Sequence, residues 1–194
     1  MDADRLGRTI AAARRGHADG YAALLEAYGP RLYGYFLRAT GRHHDAEDLL
    51  SDLTVRLVQR LESYDERGRF EQWVFRIAAN MVRDRIRRIK AAGGAALSLS
   101  AADDSQAALA DQLPAHSPGV DAAALAAEAG EAVQQALAKL DDVTRQMVLL
   151  RYFGELSFKE LAELFQCPLG TVLARVHRGL RALREDMGAE DAVE

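Results

Sequence analysis

Apolar side chains recur at every third or fourth position along most of the chain, which is the spacing of amphipathic α-helices. In the N-terminal half this spacing predicts four helices, over residues 5–15, 21–38, about 45–61 and about 70–91. The second helix shows the pattern most clearly, at positions Tyr21, Leu24, Leu25, Tyr28, Leu32 and Phe36. Gly41 is expected to end this helix, and the polar residues 63–69, which include Gly68, predict a loop before the fourth.

Residues 92–130 differ in character from the rest of the chain. They are rich in Ala, Gly, Ser and Asp, contain Pro114 and Pro118, and have no aromatic residue. This composition predicts a linker, with a fragment of helix near residues 121–129.

Helical periodicity returns at residue 131, and two short helices then close the chain. The apolar positions of this helical pattern are Val133, Leu137, Leu140, Val143, Met147 and Leu150. No strand-like alternation is present in the sequence. The patterns together predict an all-α protein of two small helical domains joined by a flexible acidic linker. Its parts are a four-helix domain over residues 1–91, the linker over 92–130, a four-helix domain over 131–187 and a tail over 188–194.

The last two predicted helices have the spacing of a helix–turn–helix unit. Ser157 and Glu160 form a capping box, which opens a helix that runs through Phe165. Residues 166–170 form a tight turn, and the second helix is expected to begin near Thr171.

A helical wheel divides the second of these helices into two faces. One face is apolar and should pack on the first helix, through Val172, Val176, Gly179, Leu180 and Leu183. The opposite face is basic, with Ala174, Arg178 and Arg181 at its centre and Thr171, Arg175, His177 and Arg184 at its flanks. A small residue among arginines suits entry into the major groove of DNA. A helical hairpin with a solvated basic face is the alternative.

The fourth helix carries a second basic stripe. Its polar face consists of Arg76, Asn80, Arg83, Arg87 and Lys90, and its core-seeking face of Phe75, Ala78, Val82, Ile86 and Ile89. Asp84 and Arg88 are expected to pair on a flank. The aromatic residues Phe70 and Trp73 lie at one end of the stripe, so it could grip a phosphate backbone and hold an unstacked base. The alternative is a solvated face with Trp73 simply buried.

An acidic face on the third helix comprises Asp45, Asp48 and Asp52. It could be a solvated surface, and three carboxylates at this spacing could also bind a divalent metal or act as acid and base. The lack of a nearby histidine at ligand spacing argues against the metal site. His43 and His44 are expected in a turn. No phosphate loop, nucleophile elbow or metalloprotease motif occurs, so the sequence predicts no catalytic residue, no metal and no cofactor.

Charge distribution supports the two basic stripes. The chain of 194 residues has a net charge of −4, yet residues 75–90 carry six bases against one acid and residues 171–184 carry four arginines and no acid. Residues 91–130 carry five acids and neither Lys nor Arg. Local basic stripes on an acidic protein suggest DNA binding that is weak alone and needs a partner.

The sequence offers no sign of export or membrane insertion. No apolar run approaches the roughly 18–20 residues of a membrane helix, and the N-terminus lacks the layout of a signal peptide. Cys167 is the only cysteine, which excludes an internal disulfide. These features predict a cytoplasmic protein.

Several of these segments resemble the sigma-70 superfamily, and within it the extracytoplasmic-function (ECF, group four) sigma factors of RNA polymerase. Residues 45–53 resemble region 2.2. Residues 70–80, followed by Asp84, Arg87 and Arg88, resemble regions 2.3 and 2.4. Residues 156–162 and 167–172 resemble region 4.2. The resemblance spans about residues 10–90 and 131–185.

The resemblance implies a role for each face. It implies binding to the β′ coiled coil of core polymerase for Asp45, Asp48 and Asp52. It implies a pocket for a flipped minus-ten base made by Tyr64, Asp65, Arg67, Gly68, Phe70 and Asn80, beside Trp73, with backbone contacts from Arg76, Arg83 and Arg87. It implies minus-thirty-five binding by Ser157, Lys159, Thr171, Ala174, Arg175, His177, Arg178 and Arg181. The linker would thread through polymerase near its active centre.

This chain departs from the family pattern at two places. Leu173 and Ala174 stand where members often carry Arg or Lys and then Ser, which removes two polar contacts to the usual minus-thirty-five sequence. Leu173 borders Leu180 on the helical wheel and could pack on the edge of the core instead. The family's middle promoter-binding domain is missing, which implies strict dependence on both promoter elements.

The predicted function is therefore that of a sigma factor, which directs RNA polymerase to promoters and promotes their melting. Its expected partners are the β′ and β subunits of the core enzyme, promoter DNA and an anti-sigma factor. One rival is a self-sufficient helix–turn–helix regulator, which would leave the basic stripe of the fourth helix without a role. Another rival is a nucleic-acid-modifying enzyme, which the absence of a catalytic cluster in this sequence disfavours.

Overall fold

The computed structural model describes residues 1–65, 68–92 and 120–188, and every regular element among them is helical. The N-terminal unit consists of α1 (Ala3–Arg14), α2 (Ala18–Thr40), α3 (His43–Arg60), a 3-10 turn (Leu61–Ser63) and α4 (Phe70–Ala91). The C-terminal unit consists of α5 (Val120–Ala138), α6 (Asp142–Phe153), α7 (Phe158–Phe165) and α8 (Leu169–Asp186). The predicted all-α class is confirmed.

The helices of the N-terminal unit follow the predicted pattern closely. Gly41 ends α2 with a φ of 74°, and its amide donates to the Leu37 carbonyl at 2.7 Å, the left-handed cap that glycine favours. The prediction that His43 and His44 lie in a turn is wrong, because α3 already begins at His43. The His43 ring lies in this first helical turn, with Nδ1 2.8 Å from the Tyr33 hydroxyl.

The C-terminal unit starts earlier than predicted. Helix α5 begins at Val120, inside the stretch expected to be linker, and it includes residues 121–129, where a fragment of helix was predicted. Residues 120–129 are mostly alanine and contain neither Gly nor Pro, which favours helix on propensity alone. The other linker residues, 93–119, and residues 189–194 of the tail lie outside the part of the chain that the structure describes.

Helices α5 and α6 are joined by a buried arginine. The guanidinium of Arg145 donates from Nε to the Leu137 carbonyl at 2.8 Å and from Nη2 to the Leu140 carbonyl at 2.9 Å. Carbonyl groups at a helix end have no partner within the helix, so these bonds replace a glycine cap. Burial lowers the pKa of Arg145, although Asp142 and Asp141 oppose the shift.

One continuous hydrophobic core runs through both units. Helix α6 packs on α2, where the absence of a side chain at Gly34 leaves room for the Phe153 ring; a Cβ at position 34 would lie 3.0 Å from its Cε1. Next to it, Gly154 lies against the buried Phe75 of α4 and against Leu156. The C-terminal unit is therefore docked on the face formed by α2 and α4.

Within the described residues, none of the helices is both long and apolar enough to cross a lipid bilayer.

Candidate nucleic-acid and polymerase interfaces

The polar face of α4 forms a row of side chains that we call the α4 row, consisting of Arg76, Asn80, Arg83, Arg87 and Lys90. Asn80, Arg87 and Lys90 are exposed, whereas Arg76 and Arg83 are half-buried. The opposite face is buried more widely than predicted, because Val74, Ile77, Ala79 and Met81 also enter the core. The predicted polar and apolar faces are therefore present on this helix.

Three cations of the α4 row contact oxygen atoms of the C-terminal unit. Arg76 Nη2 lies 3.0 Å from Oε2 of Glu163. Arg83 Nη1 donates to the Leu164 carbonyl at 3.1 Å. Lys90 Nζ lies 2.7 Å from Oδ2 of Asp142. Sequence periodicity isolated this row but gave no sign of its intramolecular partners.

The flank of the row differs from the prediction that Asp84 pairs with Arg88. The carboxylate of Asp84 lies 3.5 Å from Nη1 of Arg87, three residues further on. Arg88 instead donates from Nε to the backbone carbonyl of Asp84 at 3.4 Å. Among the described residues, the partner of Arg87 is a loosely paired, exposed carboxylate on its own helix, which leaves Arg87 available to another ligand.

The aromatic residues at the start of α4 form a cluster of tilted and edge-on rings. The Trp73 ring is half-buried, with its centroid 4.9 Å from that of Tyr64 and 5.7 Å from that of Phe70. Tyr64 and Phe70 are buried, which differs from the expectation that both rings line an open pocket. The Phe70 ring packs on those of Tyr64 and Tyr28, in each case at a centroid distance of 5.4 Å. Trp73 is the one of these three predicted rings that keeps a partly exposed face.

The loop before α4 contributes the remaining predicted pocket residues. Gly68 has a φ of 70°, a left-handed conformation that favours glycine. Asp65 is exposed. Arg67 lies outside the described residues.

The capping box predicted at the start of α7 is confirmed. The Ser157 amide and hydroxyl donate to Oε2 of Glu160 at 2.8 and 2.7 Å, and the Glu160 amide donates back to the Ser157 hydroxyl at 3.3 Å. Burial alone would raise the pKa of Glu160. The hydrogen bonds from Ser157 and the charges of Arg69 and Arg76 outweigh it, so the pKa lies below its usual value. Arg69 forms an ion pair with Glu160, which joins the capping box to the N-terminal unit.

Helix α8 carries the predicted recognition face. It begins at Leu169, two residues before the predicted start, because Gln166 reverses the chain with a φ of 52° and Pro168 then caps the new helix. The exposed predicted contacts of this helix–turn–helix unit are Ser157, Lys159, Thr171, Ala174, His177, Arg178 and Arg181. Ser157 is also engaged as the α7 cap.

Two residues of α8 differ from their predicted environment. Arg175 is half-buried, and its Nη1 lies 3.1 Å from Oδ1 of Asp141 and 3.0 Å from the Thr144 hydroxyl. It therefore stabilises the start of α6 in addition to bordering the exposed face. Leu180, predicted to pack in the core, is 39% exposed. Gly179 takes that place, since its close approach to Thr144 and Val148 leaves no space for a larger side chain.

The acidic face of α3 comprises two exposed aspartates rather than three. Asp48 and Asp52 are exposed, and His44 lies 3.7 Å from Asp48. Asp45 is only 5% exposed and forms an ion pair with Arg85 of α4. Its placement on a solvent-facing acidic surface is thus corrected: at the first turn of α3, it points towards α4.

Sequence reasoning missed an apolar part of the same surface. Val55 and Val58 follow Asp52 along α3 and are 56% and 48% exposed. Two exposed valines one helical turn apart form a small apolar patch, which can add buried apolar area to a protein interface. Their positions three and six residues after Asp52 were a signal that the core pattern of α3 obscured.

Two family models match the chain. The model described as Sigma-70 region 2 matches residues 24–92, and the one described as Sigma-70, region 4 matches residues 130–183. The first match includes the acidic surface of α3 and the α4 row. The second includes the helix–turn–helix unit of α7 and α8.

Curated relatives agree with these matches. The ECF RNA polymerase sigma factor SigW of Bacillus subtilis (strain 168) is 31% identical over 180 residues, which cover 93% of this chain and 95% of the relative. The ECF RNA polymerase sigma factor SigE of Mycolicibacterium smegmatis is 30% identical over 162 residues, which cover 84% of this chain and 59% of that longer protein.

A solved structure of CnrH in complex with the cytosolic domain of CnrY is similar in fold. Its TM-score is 0.62 at 23% identity, covering 98% of this chain and 100% of that one. The family of this chain follows from its 31% identity to SigW over 95% of that protein and from its matches to both sigma-70 regions. The chain belongs to the ECF RNA polymerase sigma factors, and it directs RNA polymerase to promoters.

Proposed function

We propose that this sigma factor promotes melting by capturing an unpaired strand of the minus-ten element on α4. The observation that carries the proposal is the exposed amide of Asn80, placed at helical spacing between Arg76 and Arg83. Amide groups can read a base edge that duplex DNA hides, and guanidinium groups hold the phosphates on either side. The partly exposed Trp73 offers a stacking surface at the N-terminal end of the same helix.

The helix–turn–helix unit is proposed to read the minus-thirty-five element. Arg178 and Arg181 are exposed on α8 around the small side chain of Ala174, so the helix can approach the floor of a major groove. Lys159, at the start of α7, is suited to a phosphate contact.

The exposed surface of α3 is proposed to bind the core enzyme. It presents Asp48 and Asp52 beside Val55 and Val58, a combination of charge for orientation and apolar area for affinity.

Sigma factors are non-enzymatic initiation factors, so we assign this protein no catalysis of its own. We place its activity in the cytoplasm, where polymerase and chromosome meet. An anti-sigma partner remains a prediction from the resemblance.

Strand capture can be tested with Asn80→Ala. Extruding a base costs a few kcal/mol, which the pocket must recover through stacking and hydrogen bonds. The test uses a duplex promoter that the parent protein opens. On this promoter we expect the variant to lose the permanganate reactivity of the minus-ten thymines. A template mismatched across the minus-ten element should restore part of the activity, because the opening cost is already met.

Gln135→Ala is the matched control for Asn80→Ala, since Gln135 is also an exposed amide residue but lies on α5, outside the α4 row. It should open duplex promoters normally. Opening by Asn80→Ala at the parental level would contradict the assignment of the amide to strand capture.

The self-sufficient regulator is not favoured. Such a protein would need only the helix–turn–helix unit, yet the family match extends through α2 to α4.

A further inference from the structure

We propose, on the basis of the minus-thirty-five role proposed above, that the first half of the exposed face of α8 reads the C5 methyl groups of thymine. Ala174 is the central contact, with Thr171 beside it, and Arg178 meets base pairs further along the groove. The ligand is duplex DNA with thymine at one or two adjacent positions.

The exposed face of α8 has two halves of different chemistry. On the side of the helix that carries Arg178, the exposed residues of the first two turns are small and uncharged: Gly170, Thr171 and Ala174. An added Cβ at Gly170 would meet nothing within 4 Å, so this part of the helix faces open space. The exposed arginines of this face, Arg178 and Arg181, begin only in the third turn. Base pairs that lie against the first two turns therefore meet two methyl groups and a single hydroxyl.

Arg175 is the only cation within the first two turns of α8, and it binds another part of the protein. Its Nη1 lies 3.1 and 3.2 Å from the two carboxylate oxygens of Asp141 and 3.0 Å from the Thr144 hydroxyl. The same carboxylate caps α6 and accepts hydrogen bonds from the Val143 and Thr144 amides, which fix its position. Hydrogen bonds between charged groups are among the stronger ones in proteins, so Arg175 joins α8 to α6 instead of reading a base.

A methyl group is the feature of the major groove that this half of the face can recognise. Thymine presents its C5 methyl there, whereas guanine, cytosine and adenine present hydrogen-bonding groups. The first residues of a recognition helix are the ones that contact base edges. The side chain of Ala174 gains free energy by packing on a thymine methyl, but it leaves the acceptors of a guanine desolvated without a donor. Selection of thymine follows from both effects.

Replacement of thymine by uracil isolates the methyl group, because uracil pairs with adenine and has the same hydrogen-bonding groups in the groove. Two libraries of duplex promoters carry the same randomised minus-thirty-five segment, one made with thymine and the other with uracil in both strands of that segment. Core polymerase assembled with the full-length protein binds each library, and the bound DNA is sequenced.

We expect the parent protein to enrich thymine at one or two adjacent positions of the segment. In the uracil library this enrichment should fall by about three- to fourfold for each buried methyl group that is lost. Bases selected by Arg178 should stay enriched in both libraries, about two base pairs away, because four residues of helix advance by about 6 Å. Equal enrichment of thymine and uracil would overturn the methyl reading.

Ala174→Gly assigns the reading to its residue. It should remove the preference for thymine over uracil and keep the other selected bases. Ala132→Gly, at an exposed alanine of α5, is the matched control and should behave as the parent does. Glycine weakens a helix, so circular dichroism checks the fold; if the variant is unfolded, Ala174→Gln, which places a polar side chain and a good helix former there, replaces it. A preference for thymine over uracil that persists in the folded variant would overturn the assignment to Ala174.

Arg178→Ala separates this inference from the proposed function. It should reduce the enrichment of the other selected bases and keep the difference between thymine and uracil. If other bases depend on Arg178 while thymine and uracil are enriched equally, the methyl reading is overturned and minus-thirty-five recognition by α8 stands. If the parent protein enriches no base in the segment of either library, both are overturned.

Discussion

The carboxylate of Asp45 and the guanidinium of Arg85 form an ion pair that joins the first turn of α3 to the C-terminal part of α4. Asp45 is 5% exposed, so removal of its carboxylate leaves a cationic donor without its partner in a mostly desolvated position. We expect Asp45→Ala to lower the free energy of unfolding by about 1–3 kcal/mol. Urea denaturation followed by circular dichroism measures this difference.

Asp48→Ala serves as the control for this stability effect. Asp48 lies on the same helix but is exposed, and surface substitutions of this kind usually change stability by less than about 0.5 kcal/mol. Equal midpoints for the two variants would show that the Asp45 pair does not stabilise the fold.

The exposed carboxylates of α3 should affect polymerase binding instead of stability. Asp48→Arg combined with Asp52→Arg is expected to abolish co-purification with core polymerase at unchanged helicity, because like charge at an interface costs several kcal/mol. Glu26→Arg, at an exposed position on α2, is a control of the same charge type. Retention of core binding by the double variant would remove this surface from the polymerase interface.

The basic face of α8 should determine which promoters respond. Arg178→Ala is expected to weaken promoters by about 1–3 kcal/mol in a manner that depends on the minus-thirty-five sequence, as a base contact requires. Transcription from a library randomised in that element measures the effect. A uniform loss across all sequences would identify Arg178 as a phosphate contact.

Acid should weaken the junction between α7 and α4. Since the folded pKa of Glu160 lies below its ordinary value of 4.5, its stabilising contribution is fully present above that value and is lost as the pH falls through the lower folded pKa. Glu160→Gln keeps a side-chain oxygen for the capping box but has no charge to lose. We expect its free energy of unfolding to fall less than that of the parent between about pH 6 and about pH 3. Equal losses would exclude Glu160 as a source of the acid sensitivity.

Local sequence rules predicted most of the helices and both basic faces. The bounds of α4 and the capping box at Ser157 follow from periodicity and from cap chemistry within a few residues, which a single sequence displays directly. The exposed arginines of α8 follow for the same reason.

Features that depend on contacts between distant residues did not follow from the sequence. Asp45 shares its helical spacing with Asp48 and Asp52, and only the position of Arg85 forty residues later makes it a buried partner. Likewise, Gly34 and Phe153 are separated by more than a hundred residues, and neither carries a local signal of the docking between the two units.

Run-off transcription with purified core polymerase and a promoter library tests the central claim most directly. The account predicts that addition of this protein creates new start sites, preceded at fixed distances by recurring minus-ten and minus-thirty-five elements. Core polymerase alone should not produce them. Start sites identical with and without the protein, under conditions where it binds the library DNA, would contradict its assignment as a sigma factor.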